Sequence, residues 1–166
     1  MGIWLSDHRT VASGVVAAVI GNLAWSGHAA TLPLSFGFLL LILLQANRWA
    51  AYAVALAYYT ASTWPLVPGA NAFFGANSRP FEGVALWGTA SILLAGPWGL
   101  FHFRTWPARF WSTALALLST CLPPLGLIGW ASPLTSAGMI FPGTGWLGIL
   151  ALLFLPAVMV RCPRWG

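Results

Sequence analysis

Charge is what this chain lacks most. It has no lysine, two acidic residues and seven arginines, so charged residues make up 5% of its 166 residues. Soluble domains carry about 25% charged residues, and a chain this poor in charge has too little polar surface to cover itself in water. The composition therefore excludes an ordinary soluble globular domain.

Residue patterns that carry chemistry are missing as well. The sequence has no serine–histidine–aspartate arrangement, no cluster of metal-ligand residues and no glycine-rich phosphate loop. Its two cysteines, Cys121 and Cys162, form no CxxC pair, and the histidines at 8, 28 and 102 stand alone near the ends of apolar segments. We therefore predict no catalytic residue, no metal site and no cofactor.

What the chain does contain is long apolar runs and tryptophan: 59% of its residues are hydrophobic and 11 are tryptophan. Apolar runs of membrane-spanning length predict an all-α fold, a polytopic helical membrane bundle of about six transmembrane helices. The bundle forms a single domain over residues 1–166 without a soluble catalytic domain, and its spans lie at about 11–27, 32–47, 49–64, 81–101, 107–122 (broken at 123–124) and 144–160. The first span is also compatible with a cleaved signal peptide.

The segment 130–148, which we call the outer loop, is the longest part of the chain that does not have the composition of a span. Pro133, Pro142 and three glycines interrupt any regular helix there. The preceding helix, 107–122, is about 24 Å long at 1.5 Å per residue, shorter than the roughly 30 Å hydrocarbon core. Pro123–Pro124 then breaks the helix while the chain is still within the membrane, and irregular backbone at that depth must be enclosed by protein or line a cavity. We therefore predict that residues 123–145 fold back against the helices and that the outer loop is Pro/Gly-rich and partly membrane-buried.

The arginines indicate the orientation of the chain. With the N-terminus inside, six of the seven arginines lie on the cytoplasmic side and Arg79 alone lies opposite, in agreement with the positive-inside rule. They occur singly or in pairs in short loops, which favours topology signals and lipid-headgroup contacts over a nucleic-acid surface. We predict a multi-pass membrane protein with both termini cytoplasmic and no direct nucleic-acid binding.

Three stretches resemble conjugal transfer proteins of the TraB type. The specific one is PPLGLIGWASPLTSAGMIFPGTGWLG at 123–148, and WPLVPGANAFFG at 64–75 and GPW at 96–98 occur in the same order. Those proteins in turn resemble apolipoprotein N-acyltransferase, in which a helical membrane region precedes a nitrilase-like domain. The resemblance implies a bacterial inner-membrane location and a role in plasmid conjugation, with membrane lipids and other conjugation or secretion membrane proteins as partners.

The resemblance transfers no catalytic residue to this chain. Nitrilase-like chemistry in that family uses a Glu, a Lys and a Cys, all in the soluble domain, whereas this sequence contains no lysine and neither cysteine lies on the matching motif. The chain itself is therefore not predicted to be an enzyme. The alternative hypothesis makes it the membrane part of a nitrilase-type N-acyltransferase whose catalytic domain is missing or separately encoded. A small transporter is weaker, because residues 11–64 and 81–160 show no inverted repeat.

Aromatic and hydroxyl side chains concentrate in two irregular segments on the predicted outer side. One is 65–80, which its proline, glycine and asparagine content predicts to be a loop, and the other is the outer loop. Beside them, Glu82 falls near the third position of the helix after Pro80, where it stabilises the helix start or pairs with Arg79; a role in a substrate or proton site is the alternative. We predict that these segments form a face that binds lipid or a partner. Its candidate residues are Phe73, Phe74, Arg79, Glu82, Trp130, Ser132, Thr135, Ser136, Phe141, Thr144 and Trp146.

Overall fold

The computed structural model describes residues 2–75, 79–103, 105–128 and 130–161, and every regular element in these ranges is helical, as the sequence predicts. The elements in chain order are α1 (Gly2–Ala24), a 3-10 helix (Ala29–Ser35) that continues into α2 (Phe36–Leu43), α3 (Arg48–Ser62), α4 (Leu66–Phe74), α5 (Pro80–Leu100), α6 (Trp106–Ser119), two short 3-10 helices (Leu125–Leu127 and Pro133–Ser136), α7 (Ala137–Ile140) and α8 (Trp146–Arg161).

Helix α4 differs from the sequence-based expectation, which made residues 65–80 a loop. Pro65 precedes the helix as its N-cap, and Pro68 lies in the first turn, where a backbone amide has no partner within the helix. Gly75 then ends α4 with a positive φ of 55°. The prolines thus start this helix instead of preventing it.

The long helices pack side by side in alternating directions. Gly14 of α1 lies beside Ala57 of α3, and Gly21 lies beside Tyr58, so α1 and α3 run in the same direction. Helix α5 runs opposite to α3, because Trp87 near its start donates a hydrogen bond to the carbonyl of Thr60 (2.8 Å) near the end of α3. Small residues at these contacts let the backbones approach closely.

This packing gives the molecule two ends. At the loop end, the Tyr58 hydroxyl donates to the Ala131 carbonyl (3.3 Å), which places the outer loop beside the last turns of α3. At the basic end, Arg109 of α6 donates from Nη1 to the Leu43 carbonyl (3.3 Å), and Gly99 of α5 lies against Tyr52 of α3. The two ends face opposite directions along the helix axes.

Aromatic rings and hydroxyl groups fill the interior together. Phe38 stacks on Tyr58 at 4.2 Å between ring centroids and meets Trp98 edge-on at 4.9 Å. Around them hydroxyls pair between elements, as when Thr63 and Ser91 lie 3.1 Å apart between α3 and α5. Polar groups inside a bundle must find partners there, and these do.

Large apolar side chains point outward from the same helices. Val11 on α1 is 65% exposed, Ile92 on α5 is 55% exposed and Trp111 on α6 is 60% exposed. Among the described residues one helix, Phe81–Leu100, is long and apolar enough to cross a membrane, while the apolar helical stretches Ala29–Leu43 and Trp146–Leu155 are shorter. By helix length and composition, the described residues therefore support one membrane span. The expected bundle of about six transmembrane helices is not supported by these two criteria.

Candidate functional site

The first half of the outer loop is packed into the bundle. Ser132 is 1% exposed, and its Oγ accepts hydrogen bonds from Thr120 Oγ1 (3.2 Å) and Cys121 Sγ (3.2 Å). Ser136 is fully buried; its Oγ lies 2.9 Å from Ser35 Oγ and 3.0 Å from the Leu32 carbonyl. These two predicted site residues therefore fasten the loop to the helices and do not reach its surface.

The second half of the outer loop borders an open hollow of about 390 Å³ at the loop end. Gly143 and Gly145 have positive φ angles of 77° and 55°, a region that glycine adopts without steric cost, and they bend the chain around the hollow. Three of the predicted site residues line it. The lining comprises Leu134, Thr135, Ala137, Gly138, Phe141, Gly143, Gly145, Trp146 and Ile149.

Trp146 gives the hollow its most prominent side chain. It is 81% exposed at the first position of α8, and Phe141 lies half-buried across from it in the lining. Thr144, although exposed, turns its Oγ1 back to the Phe141 carbonyl (2.7 Å). A concave apolar surface with few polar groups suits an apolar ligand segment better than a charged one.

The remaining predicted site residues lie elsewhere at the loop end. Trp130 packs near Trp25 with 6.4 Å between ring centroids. Phe73 and Phe74 contact each other edge-on at the end of α4, and Phe73 is 84% exposed. The structure therefore brings Thr135, Phe141 and Trp146 together in the hollow and leaves the Phe73–Phe74 pair on a separate element.

Glu82 caps the start of α5. Its Oε2 accepts a hydrogen bond from the backbone amide of Arg79 (3.2 Å), and it lies at the third helical position, as the sequence predicted. A carboxylate there also meets the positive end of the helix dipole. This contact accounts for Glu82 as a helix-stabilising residue.

A second polar cluster, at the basic end, was missed by the sequence analysis. His102 and Arg109 line one small cavity with Leu43 and Phe101. Burial lowers the pKa of His102 below its ordinary value, the Arg109 guanidinium lowers it further, and a backbone hydrogen bond with Gln45 opposes both. Arg109 follows His102 by seven positions, and a turn separates the two residues. Their spacing in the sequence therefore does not indicate that they line one cavity.

Groups of three or more His, Cys, Asp or Glu residues that could hold a metal ion do not occur within the described residues. The hollow offers hydroxyls, backbone groups and apolar surface.

The fold and the site define a class first: an all-helical chain with buried hydroxyls, an apolar exterior and an apolar hollow at one end. Similarity then points to particular proteins. The chain is 34% identical over 141 residues to a probable conjugal transfer protein TraB of Sinorhizobium fredii, an alignment that covers 82% of this chain and 35% of the relative. It is also 34% identical over 150 residues to the conjugal transfer protein TraB of Agrobacterium fabrum, covering 81% of this chain and 34% of that protein.

The chain thus spans about a third of the length of these curated relatives. No protein-family model matches the chain, and no solved structure matches it.

Proposed function

We propose that this chain is a membrane-embedded helical protein that acts in plasmid conjugation. The observation that carries the proposal is the similarity to two conjugal transfer proteins over about four-fifths of the chain. The exposed valines, leucines and isoleucines on α1, α5 and α8 support a lipid-facing exterior, because soluble proteins rarely expose such continuous apolar surface.

In this proposal the chain crosses the bacterial inner membrane about six times, with both termini cytoplasmic. The alternating helix directions support this path. Helix α1, with 23 residues, is about 34 Å long, and the 21 residues of α5 extend about 31 Å. The 3-10 turns at Ala29–Ser35 rise about 2.0 Å per residue, so this helix and α2 together extend about 26 Å.

The shorter passes, α3, α6 and α8, have 15, 14 and 16 residues and extend about 21–24 Å. A hydrophobic stretch that is too short is accommodated by local thinning of the bilayer at modest cost. The packed half of the outer loop supports the same arrangement, since its backbone near Ala131 is enclosed by helices.

The hollow is the proposed binding surface of the protein. Thr135, Phe141 and Trp146 present apolar and hydroxyl groups to whatever occupies it, either lipid or another membrane protein of the conjugation apparatus. Large aromatic side chains carry most of the binding energy at many interfaces. Phe141 and Trp146 are therefore the residues on which binding depends.

Replacing both side chains tests this proposal. We expect the Phe141→Ala, Trp146→Ala double variant to reduce plasmid transfer frequency roughly tenfold or more, because two central aromatic contacts disappear. Transfer is measured by mating, and membrane fractions are blotted to show that the variant is still inserted.

The matched control changes the same residue types at the basic end. Phe103 and Trp49 are 49% and 71% exposed, so Phe103→Ala with Trp49→Ala removes a similar apolar area away from the hollow. Transfer should then stay near the unmodified level. Equal transfer by both double variants would count against a role for the hollow.

The length of the relatives favours a second candidate function. They extend to almost three times the matched region, so their additional sequence has room for a catalytic domain. The chain would then be the membrane part of a nitrilase-type N-acyltransferase. Reading the DNA around this gene distinguishes the two: an adjacent or continuous reading frame with nitrilase-like Glu, Lys and Cys supports the enzyme, and unrelated genes on both sides oppose it.

A further inference from the structure

At the basic end, one buried nitrogen of Arg109 has no partner among the described residues. Arg109 donates from Nη1 to the Leu43 carbonyl (3.3 Å), which helps to close the end of α2, but its Nε is buried and has no hydrogen-bond partner. The only carboxylate among the described side chains is Glu82, at the far end of α5, about 30 Å along the helix axis. A buried charged donor left without a partner is costly.

A second unpartnered nitrogen lines the same cavity. His102 Nε2 is buried and makes no hydrogen bond among the described residues, and His102 and Arg109 both line a space of about 10 Å³, roughly the room that one water-sized oxygen needs. The neighbouring hydroxyls are already used: Ser112 and Thr113 both donate to the Arg109 carbonyl, at 2.8 and 2.9 Å. In the described part of the chain, these two nitrogens are the polar side-chain atoms of the lining residues that are buried without a partner.

We propose that this cavity binds one oxygen of a phosphate group, held between Arg109 Nε and His102 Nε2. Arginine is well suited to phosphate, and a basic pocket between helices at the cytoplasmic side of a membrane protein is typical of an anionic headgroup site. The remaining phosphate oxygens lie outside the cavity, toward the open side of the basic end. The phosphate comes from a phospholipid headgroup or from free inorganic phosphate.

Binding has a consequence for the proton on His102. Because Nε2 has no partner, the backbone hydrogen bond to Gln45 uses Nδ1 of the ring. A neutral imidazole with its proton on Nδ1 would present a lone pair at Nε2 and repel the oxygen, whereas the protonated ring donates to it. Arg109 on α6 is the charged group that acts on the ring, and the Gln45 backbone bonds to it from beyond α2. A bound phosphate offsets the Arg109 charge, so binding takes up a proton and raises the pKa of His102.

Native mass spectrometry of the purified chain in neutral detergent tests the site directly. Dioleoylphosphatidylglycerol is titrated against the unmodified protein, Arg109→Gln and the matched control Arg48→Gln. Arg48 is an exposed arginine at the same end that lies 5.5 Å over the Trp49 ring and does not line the cavity. We expect one tightly held lipid, with its Kd raised about tenfold or more by Arg109→Gln and unchanged by Arg48→Gln.

Dioleoylglycerol and inorganic phosphate complete the experiment. Dioleoylglycerol has the same chains without phosphate and should not occupy the site; binding as tight as that of the phospholipid would overturn the proposal. Equal weakening by Arg48→Gln and Arg109→Gln would overturn it too, by showing general surface attraction around a water-filled cavity. Displacement of the lipid by millimolar inorganic phosphate identifies free phosphate as a ligand, and persistence of the lipid identifies the headgroup.

A measurement without any substitution covers the case in which Arg109→Gln fails to fold. Histidine NMR on the unmodified protein should show the pKa of His102 rising when inorganic phosphate or the phospholipid is added. His8 and His28 are exposed and serve as internal references. An unchanged pKa at His102 would refute the site. The lipid arm rests on the proposed membrane placement, whereas the inorganic phosphate arm does not, so the two failures can be told apart.

Discussion

At the residue scale, Ser136 joins the outer loop to the rest of the molecule. Its Oγ lies within hydrogen-bond distance of Ser35 Oγ, the Leu32 carbonyl and the Pro133 carbonyl. Two of these partners lie about a hundred positions earlier in the chain. The Ser136 hydroxyl therefore links the outer loop to a segment that is far away along the chain.

Removing that hydroxyl should loosen the loop. We expect Ser136→Ala to lower the free energy of unfolding by about 1 kcal/mol, because a buried hydroxyl pair between helical segments is lost. Thermal unfolding in detergent measures the change. Ser119→Ala is the control, since Ser119 Oγ bonds only to the Leu115 carbonyl of its own helix (2.7 Å) and should shift the midpoint little.

The position of the outer loop could be predicted from the sequence, but which of its hydroxyl side chains are buried could not. Ser132 and Ser136 are buried, whereas Thr135 and Thr144 are exposed, and all four stand in similar surroundings of proline, glycine and apolar residues. Which side chain turns inward depends on Thr120 and Ser35, which are distant in sequence. Contacts of that separation leave no periodic trace in the chain.

At the scale of elements, α1 and α3 pack so tightly that Gly21 has no room for a side chain. A Cβ added at Gly21 would lie 2.5 Å from the Tyr58 carbonyl oxygen, which is backbone and cannot move aside without shifting the helix. At Gly88 of α5, by contrast, an added Cβ meets nothing within 4 Å. The two glycines thus differ in their surroundings although both stand in helices.

This difference gives a matched pair of substitutions. We expect Gly21→Ala to lower the free energy of unfolding by about 1–3 kcal/mol through overpacking. Gly88→Ala should leave it unchanged or raise it by about 0.5–1 kcal/mol, because alanine restricts the unfolded chain. Unfolding in detergent followed by circular dichroism measures both. If the two variants behaved alike, the tight packing of α1 on α3 would be refuted.

The helices α3, α5, α6 and α8 fall largely inside the spans that the apolar runs predicted, whereas α1 begins at Gly2, nine residues before the expected start at 11. Helix α6 ends at Ser119, before the Pro123–Pro124 pair that was expected to break it. Helix α4 was not anticipated, because the sequence pattern gave its prolines no position relative to a helix start.

At the scale of the whole molecule, apolar side chains lie both in the core and on the surface. Serine and threonine hydroxyls are buried, while valine, leucine and tryptophan side chains are exposed on several helices. In hydrocarbon this distribution is favourable, because lipid-facing surfaces are apolar and polar groups pair between helices. The chain also has few charged groups to place at the surface: seven arginines and two acidic residues among 166, with a net charge of +5.

The proposed path through the membrane makes the two ends differ in accessibility. In a background with Cys121→Ser and Cys162→Ser, we expect Leu127→Cys to react with a maleimide that cannot cross the inner membrane when intact cells are treated. Trp49→Cys should react only after the inner membrane is opened. Both side chains are well exposed, at 81% and 71%, so local burial does not explain a difference.

Equal labelling of Leu127→Cys and Trp49→Cys in intact cells would contradict the three crossings that the proposed path places between these two positions. Reversed labelling would invert the orientation. Reversed labelling would also move the hollow to the cytoplasmic side. Labelling as expected would leave the hollow on the outer side.

The chain of contacts from Trp25 through Tyr58 to Ala131 has a mechanical implication. Trp25 Nε1 donates to the Tyr58 hydroxyl (2.9 Å), and that hydroxyl donates onward to the Ala131 carbonyl (3.3 Å), so one phenol oxygen ties α1, α3 and the outer loop together. A displacement of the end of α1 would therefore strain both hydrogen bonds of the Tyr58 hydroxyl.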